Sequence, residues 1–547
     1  MEKSKKTKKY KQSDGHIWIW LTALSTAIGL FMIGGLLILI LSNGLGIFWP
    51  SHLQQFKLKN GSIYLGEEWE QEKVKNEDGS GNSERLRIKI ANRDIYGLDF
   101  KWIDKADIES IIEPDSALVL ERMAWGQFYG FASKLTDNDQ LLAAGNSAVI
   151  AALPKYMDEV GKLQEKINRI EKVEIKDISY QTDALRLQQK SIEQKEDKTD
   201  SDNQDIVKID AQLQELHEQF SETEQQLIKL RTEANRYILE MLAVSGEPKS
   251  ILLADIVRYF QPNDMNVLQK SGLYIARLWE FLSDAPREAN MEGGVLPAIF
   301  GTVLMVIIMS IAVVPLGVLA AVYLREYAKQ GLFVRVLRIA VNNLAGVPSI
   351  VYGIFGLGFF VYVIGGSIDR LFFAESLPNP TYGTGGILWA SLTLALLTVP
   401  VVIVTAEEGL AAVPRSVREG SLALGATKFE TLWRVVLPSA SPSIFTGLIL
   451  AVARAAGEVA PLMVTGVVKL APSLPIDGYF PYIHLERKFM HLGFHIYDVG
   501  FQSPNVEAAL PMVYATTLLL IFIVVALNLS AVFLRKRLQQ RFAVTHL

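Results

Sequence analysis

The chain has 547 residues, 50% of them hydrophobic and 20% charged, with a formal net charge of only −4. A mean hydropathy of +0.22 excludes both a protein that is membrane throughout and one that is wholly soluble, so the chain mixes the two. The small net charge selects no class of partner, and the absence of cysteine excludes a disulfide framework, thiol chemistry and thiolate metal sites.

Residues 1–16 form a basic tail carrying Lys3, Lys5, Lys6, Lys8, Lys9 and Lys11. The first of six apolar runs long enough to cross a bilayer follows. The runs cover roughly 17–41, 296–324, 339–364, 387–405, 444–468 and 508–534. The first is too long for a cleaved signal and no convincing small-x-small site follows it. It reads as an uncleaved membrane anchor over 17–42 with a cytosolic N-terminus. Positive charge in the short loops agrees. Arg325, Lys329, Arg335 and Arg338 follow the second run, and Arg415, Arg418, Lys428 and Arg434 lie between the fourth and fifth. Arg535, Lys536, Arg537 and Arg541 follow the sixth, whereas the loop between the third and fourth offers Arg370 alone. Both termini are therefore expected in the cytosol, and the protein in the cytoplasmic (inner) membrane.

Residues 43–292 are a polar insert of roughly 250 residues, enough for a domain of its own, and expected in the periplasm. About 51–150 looks β-rich. Asn60-Gly61 between Phe56-Lys-Leu-Lys and Ser62-Ile-Tyr-Leu is a hairpin signal, and 85–90 alternates charged and apolar residues. Over about 153–243 the period changes. Ile206, Ile209, Leu213, Leu216, Phe220, Thr223, Leu227, Leu230, Ala234, Tyr237 and Met241 recur at three and four, a heptad seam. Val160, Leu163, Ile167 and Ile170 start another, which Ile178, Leu185 and Ile192 resume after a phase slip. With the polar stretch 193–205 between them, the arms read as an antiparallel coiled-coil hairpin about 50 Å long. A spacer or dimer contact and a docking arm for a binding protein or envelope partner both fit it. About 265–283 reads as an amphipathic helix at the outer membrane interface, its apolar side anchored by Tyr274, Leu278, Trp279 and Phe281.

Between the fourth and fifth runs, within 407–440, stands Glu419-Gly-Ser-Leu-Ala-Leu-Gly425-Ala-Thr-Lys-Phe-Glu-Thr-Leu-Trp-Arg-Val435-Val-Leu437-Pro438. Pro414 can start a first short helix, and Gly425 suits its left-handed end. Thr427 and Glu430 have capping-box spacing for a second helix, which Pro438 is expected to stop. Phe429, Leu432, Trp433 and Val436 put an apolar stripe on that helix. A specified elbow on the wet side of a membrane domain is shaped to be gripped by another protein. As a DNA-reading helix-turn-helix it fits poorly, because its second helix would have to leave the membrane face; no nucleic-acid partner is expected.

This spacing resembles the coupling loop of importer permeases of the ATP-binding-cassette class. Over about 285–540 the chain resembles, more narrowly, the phosphate-specific transport permease family, PstA type. The stretches that carry the likeness are Pro286-Arg-Glu-Ala-Asn-Met-Glu-Gly-Gly, Pro315-Leu-Gly-Val-Leu-Ala-Ala-Val-Tyr-Leu-Arg-Glu-Tyr327, Asn343-Leu-Ala-Gly-Val-Pro-Ser-Ile-Val-Tyr-Gly353 and Ala453-Arg-Ala-Ala-Gly-Glu-Val-Ala-Pro461. The resemblance implies an all-α polytopic protein with a type I importer core of five helices at 293–540. It implies that Glu419, Gly420, Ser421, Gly425, Leu437 and Pro438 meet an ATPase subunit. The motif often has Glu-Ala-Ala, so Gly420 and Ser421 depart from it while staying small. It also implies a PstC-type permease, a pair of PstB-type ATPases and a PstS-type periplasmic phosphate-binding protein as partners, within membrane lipid. The common short members lack the external insert, so the resemblance implies nothing about its role.

The residues add requirements of their own. No Gly-x-x-x-x-Gly-Lys-Ser/Thr phosphate loop occurs, and no nucleophile–base pair or carboxylate dyad suggests catalysis. The chain is expected to be no enzyme and to need no cofactor, with ATP and magnesium bound by a partner. Arg454 and Glu458 interrupt the fifth run, where each charge costs roughly 2.5–3.5 kcal/mol at mid-bilayer. Either they line and gate an anion path, or they compensate each other near the cytosolic end. Gly346, Pro348, Ser349, Gly353 and Gly356 in the third run read as packing or kink positions, with path lining as the alternative; Pro400 and Pro461 read as kinks. His484, His491 and His495 show no metal spacing. Inward phosphate transport is the expected function. Sulfate, molybdate or another oxyanion is the rival within the class, and an envelope adaptor or sensor working through the hairpin is the rival outside it.

Overall fold

The computed structural model describes residues 14–75, 82–195 and 198–543. The lysines of the basic tail and part of the turn between the hairpin arms lie outside these. Among the described residues, six helices are long and apolar enough to cross a membrane: Trp18–Gly46, Leu296–Tyr327, Ser349–Phe372, Ile387–Ala412, Lys428–Gly457 and Val506–Arg537. They are helices because hydrocarbon offers no partner to backbone N–H and C=O groups. The fourth span is the most enclosed. Its Leu394, Leu397 and Val402 pack with Met305, Met309 and Val313 of the second and Ala451 and Ala455 of the fifth. Small residues permit the approach: a Cβ on Gly317 would come 2.6 Å from Val402, and one on Gly447 2.0 Å from Thr405. The first span lies outside this bundle, with most of its side chains exposed, and touches the sixth where Gly44 meets Tyr514.

Two spans differ from the sequence reading. The run 339–364 is interrupted. One helix, Leu332–Leu344, ends before Gly346, and another starts at Ser349. Proline lacks an N–H and disfavours helical backbone at the residue before it, here Val347. Gly346, Pro348 and Ser349 therefore make a break rather than a kink. The fifth span is shifted. It begins at Lys428, runs through Pro438 without stopping, and ends at Gly457. A wide turn over Leu432–Val436, in which the Leu437 N–H reaches back to the Leu432 carbonyl, absorbs the proline. The expectation that Pro438 ends the second elbow helix is thus corrected. Pro461 opens a separate short helix, Ala460–Thr465, and kinks nothing; Pro400 does lie inside the fourth span.

Among the described residues the insert is built on two large sheets, with a two-residue pairing of Pro286–Arg287 and Glu292–Gly293 at its end. Strands β1 (Gln54–Leu58), β2 (Ile63–Lys75), β3 (Asn82–Lys89), β4 (Phe100–Asp104) and β5 (Ile108–Ile112) form one, in the order β4-β3-β2-β1-β5. The β1–β2 pairing closes on Gly61 in left-handed conformation (φ 85°), the hairpin that Asn60-Gly61 signals. Strands β6 (Leu118–Arg122), β7 (Phe128–Asp137), β8 (Gln140–Ala144), β9 (Tyr237–Leu242), β10 (Pro248–Leu252) and β11 (Ile256–Phe260) form the other, in the order β10-β9-β7-β6-β11 with β8 beside β7. The β-rich part therefore resumes after the helical hairpin, which is an insertion within it. Tyr237 and Met241, read as seam positions, belong to β9. With Leu239 they are buried at every second residue, the strand period winning over the helical one.

The hairpin itself runs out along Asn146–Arg169, a wide turn Ile170–Glu174 and Ile175–Glu193, and returns along Asp200–Ala234. That turn accounts for the phase slip in the seam, since an extra residue per turn rotates the apolar face. Ile167, Ile170, Leu227 and Ala234 are buried together between the arms. The helix Val267–Ser283 starts on an Asn266–Gln269 capping box and splits the expected anchor. Tyr274, Leu278 and Phe281 pack inward against Phe48 and Val295, whereas Trp279 points outward with Leu268 and Ile275.

Candidate functional site

The elbow follows from local chemistry. Its first helix, Arg415–Ala423, closes on Gly425 at φ 88°. The Gly425 N–H donates to Leu422 O and the Ala426 N–H to Ser421 O, the paired bonds of a glycine-closed helix end. Thr427 and Glu430 then form the capping box of the helix that becomes the fifth span. Ser421 Oγ and Thr431 Oγ1, 2.9 Å apart, tie the two arms together. The apolar stripe divides: Leu432 and Val436 are buried against Leu324 and Leu410, while Phe429 and Trp433 stack on each other and face outward. Glu419 and Gly420 are exposed, nothing lies within 4 Å of a Cβ placed on Gly420, and Leu424 is 91% exposed. Leu437 and Pro438 sit behind this surface, partly covered. The elbow thus combines a fixed backbone with unpartnered apolar groups.

Glu326 fastens the elbow to the bundle. It stands at the C-terminal end of the second span, pairs with Arg418 of the first elbow helix, and its carbonyl accepts from Lys428 of the second. Sequence reasoning quoted its stretch without assigning it a role.

Arg454 and Glu458 do not share a continuous helix. Arg454 is in the last turn of the fifth span, and Glu458, at ψ 134°, is the extended residue that ends it. Their side chains stand 3.6 Å apart, partly exposed. Depth follows from the packing register. A Cβ on Gly447 would meet Thr405 and Val402, and one on Gly409 would meet Ser443 and Ala440. The two spans run antiparallel, so Arg454 comes level with about 395–398, near the middle of Ile387–Ala412. The break at 345–348 reaches the same layer: Gly356 lies against Thr393, and Ser349 is about 10 Å further inward along the helix. Tyr352 of the first turn of the third span donates to Leu344 O across the break and packs with Ala451 and Ala455 beside Arg454. Gly353 fits against Pro461, where a Cβ would come within 2.7 Å. Two interrupted helices therefore meet level with the middle of the fourth span: Tyr352 and Gly353, just past the Gly346-Val-Pro348-Ser349 break, lie against Ala451, Ala455 and Pro461, where Arg454 pairs with Glu458. Non-helical backbone at that depth is tolerated where it is enclosed by protein or lines a cavity.

The histidines lie elsewhere. His484 is held between Asp477 at 2.9 Å and Glu486 at 3.1 Å. Burial pushes His495 down to about 4 and His491 down to about 3, so both are neutral at physiological pH. Among the described residues no group of three or more His, Asp or Glu side chains could hold a metal ion.

Residues 313–544 match the family described as "Binding-protein-dependent transport system inner membrane component". The chain is 36% identical over 203 residues to the phosphate transport system permease protein PstA of Mycobacterium leprae, covering 37% of this chain and 61% of that protein. It is 35% identical over 246 residues to PstA 1 of Mycobacterium tuberculosis, covering 45% and 72%. To PstA of Yersinia pestis it is 32% identical over 259 residues, covering 47% and 78%.

Proposed function

The chain belongs to the PstA family of phosphate transport permeases, and from that premise we propose that it is the permease subunit of an ATP-driven importer, moving inorganic phosphate inward. The observation that carries the reading is the pair of interrupted helices meeting at mid-membrane beside Arg454. A cation there, a few ångströms from a carboxylate that can neutralise it, suits a hydrated or partly dehydrated oxyanion crossing a low-dielectric layer. The elbow supplies the drive. Glu419, Gly420, Ser421 and Gly425 form the face for an ATPase subunit of PstB type, which binds the ATP and magnesium, and Leu437 and Pro438 stand behind that face. Closure of the ATPase pair would pull the elbow, and through Glu326 and the fifth span would alter access at the charged layer. A PstC-type permease completes the path, and a PstS-type protein delivers phosphate from outside. In this arrangement both termini are cytosolic, the insert is periplasmic, and Trp279 with Leu268 meets the outer lipid surface.

Deleting the gene and measuring uptake of labelled phosphate, sulfate and molybdate tests the reading. Loss confined to phosphate, restored by the full chain, is expected. Undiminished phosphate import overturns it.

A further inference from the structure

The helical arm is not free. Its outgoing helix lies along the outer loops of the permease and grips them at two places. Lys176 Nζ stands 3.3 Å from Asp477 Oδ2. Tyr479 Oη donates to Asp177 Oδ1 at 2.7 Å. Tyr180 stacks on Tyr479 with ring centres 4.3 Å apart, and its hydroxyl donates to Phe480 O at 3.0 Å. Further along the arm, Lys190 donates to Leu377 O in the loop between the third and fourth spans.

Asp477 is the hub of the gripped loop. It also binds Arg487 at 2.6 Å and His484 at 2.9 Å. Burial opposes its ionisation, yet these donors and the Tyr479 N–H hold its carboxyl well below the usual range. The hub fixes Leu485–Arg487, whose carbonyls accept the first N–H groups of the fourth span: Ile387 N–H to Arg487 O and Leu388 N–H to Leu485 O, both at 3.0 Å. Helix-start donors have no partner inside their own helix, so this loop completes that end. Gly386 is glycine because a Cβ there would lie 2.3 Å from Glu486 O. A chain of direct contacts thus runs from the arm to the outer end of the central span.

We propose that Lys176, Asp177, Tyr180 and Lys190 are positioning residues for transport: the arm is a brace that stays seated on the two loops flanking the fourth span and fixes that span's outer end. This rests on the transport reading above. It gives the insert a place in the permease itself.

The cysteine-free chain allows a clean test in the full transporter in native membranes. Tyr180→Cys with Tyr479→Cys is expected to form a disulfide on oxidation and to hold uptake at, or up to about fivefold above, the reduced state, since the bond reseats a brace that does not need to lift. No disulfide, or uptake that vanishes on oxidation and returns on reduction, overturns the proposal. Tyr180→Ala removes a ring stack and a hydrogen bond and should lower uptake about fivefold. It should also quicken hydrogen exchange at the Ile387 and Leu388 amides. Tyr180→Phe, which keeps the stack, should restore most of both. Uptake and exchange unchanged in Tyr180→Ala overturn the proposal. If the wild-type transporter proves to carry another anion, the phosphate reading falls while the disulfide and exchange results still decide the brace.

Discussion

At the scale of single residues, Arg454 is the decisive test. An ion near mid-bilayer is retained at a cost of roughly 2.5–3.5 kcal/mol, and its carboxylate neighbour sits at a helix end rather than one turn along. A pair placed only for structure would gain from being replaced by neutral side chains. Replacing both, Arg454→Gln with Glu458→Gln, should therefore leave the protein's amount in the membrane unchanged and lower uptake by at least about tenfold, the equivalent of one lost charge-assisted contact. Uptake at the wild-type level would make the pair structural. A second residue makes a prediction about pH. Glu292, in the cleft between the β domain and the ends of the first and sixth spans, has its carboxyl raised by burial from 4.5 to about 7. Between those values the folded chain holds a proton that the unfolded chain has released. Stability then falls as pH rises through the window and levels off above it. Thermal unfolding followed from about pH 5 to about pH 8 should show that decline in the wild type and a flatter profile in Glu292→Gln. Parallel profiles would remove Glu292 as its source.

At the scale of elements, the elbow separates two glycines and a proline that look alike in the sequence. Gly425 is in left-handed backbone, so Gly425→Val strains the closure by about 1–2 kcal/mol. It should loosen ATPase binding, read as retention of the ATPase on the purified permease. Nothing lies within 4 Å of a Cβ placed on Gly420, so Gly420→Ala should be silent there. Pro438 lies inside a continuous helix, so Pro438→Ala should change neither binding nor uptake; detachment of the ATPase would return to Pro438 the stopping role that the sequence assigns it. Glu419→Lys, by contrast, reverses an exposed charge on the docking face and should release the ATPase. The elbow was legible because its devices are local: a capping box, a left-handed glycine and a fixed spacing all act within a few residues. The two breaks were not. Hydropathy counts apolar residues and takes no account of backbone, so Gly346-Val-Pro348 and Gly457-Glu458 passed as span interiors. The depth of Arg454 needed the register between the fourth and fifth spans, which only tertiary contacts at Gly447 and Gly409 supply.

At the scale of the whole molecule, the insert shows where sequence period misleads about boundaries. A seam of three-and-four spacing carried Tyr237 and Met241 into the hairpin, and only pairing with β7 and β10 identifies them as strand. That correction determines which excision can be interpreted. Removing 160–241 would strip β9 from the middle of its sheet and Val160 from the core that holds Leu135, Leu239 and Met241, and the domain would unfold. The arms instead meet at Glu171 and Arg231, 2.6 Å apart, so 172–230 can be excised and these ends joined by a short turn. The shortened chain keeps both sheets and loses the grip on Asp477, Tyr479 and Leu377. Its thermal unfolding and membrane level should match the full chain. Its uptake should fall about fivefold, as for the loss of the Tyr180 contacts alone, because that loss already unseats the brace. If uptake is untouched while an envelope partner no longer co-purifies, the arm is an adaptor, and the outer end of the fourth span stands without it.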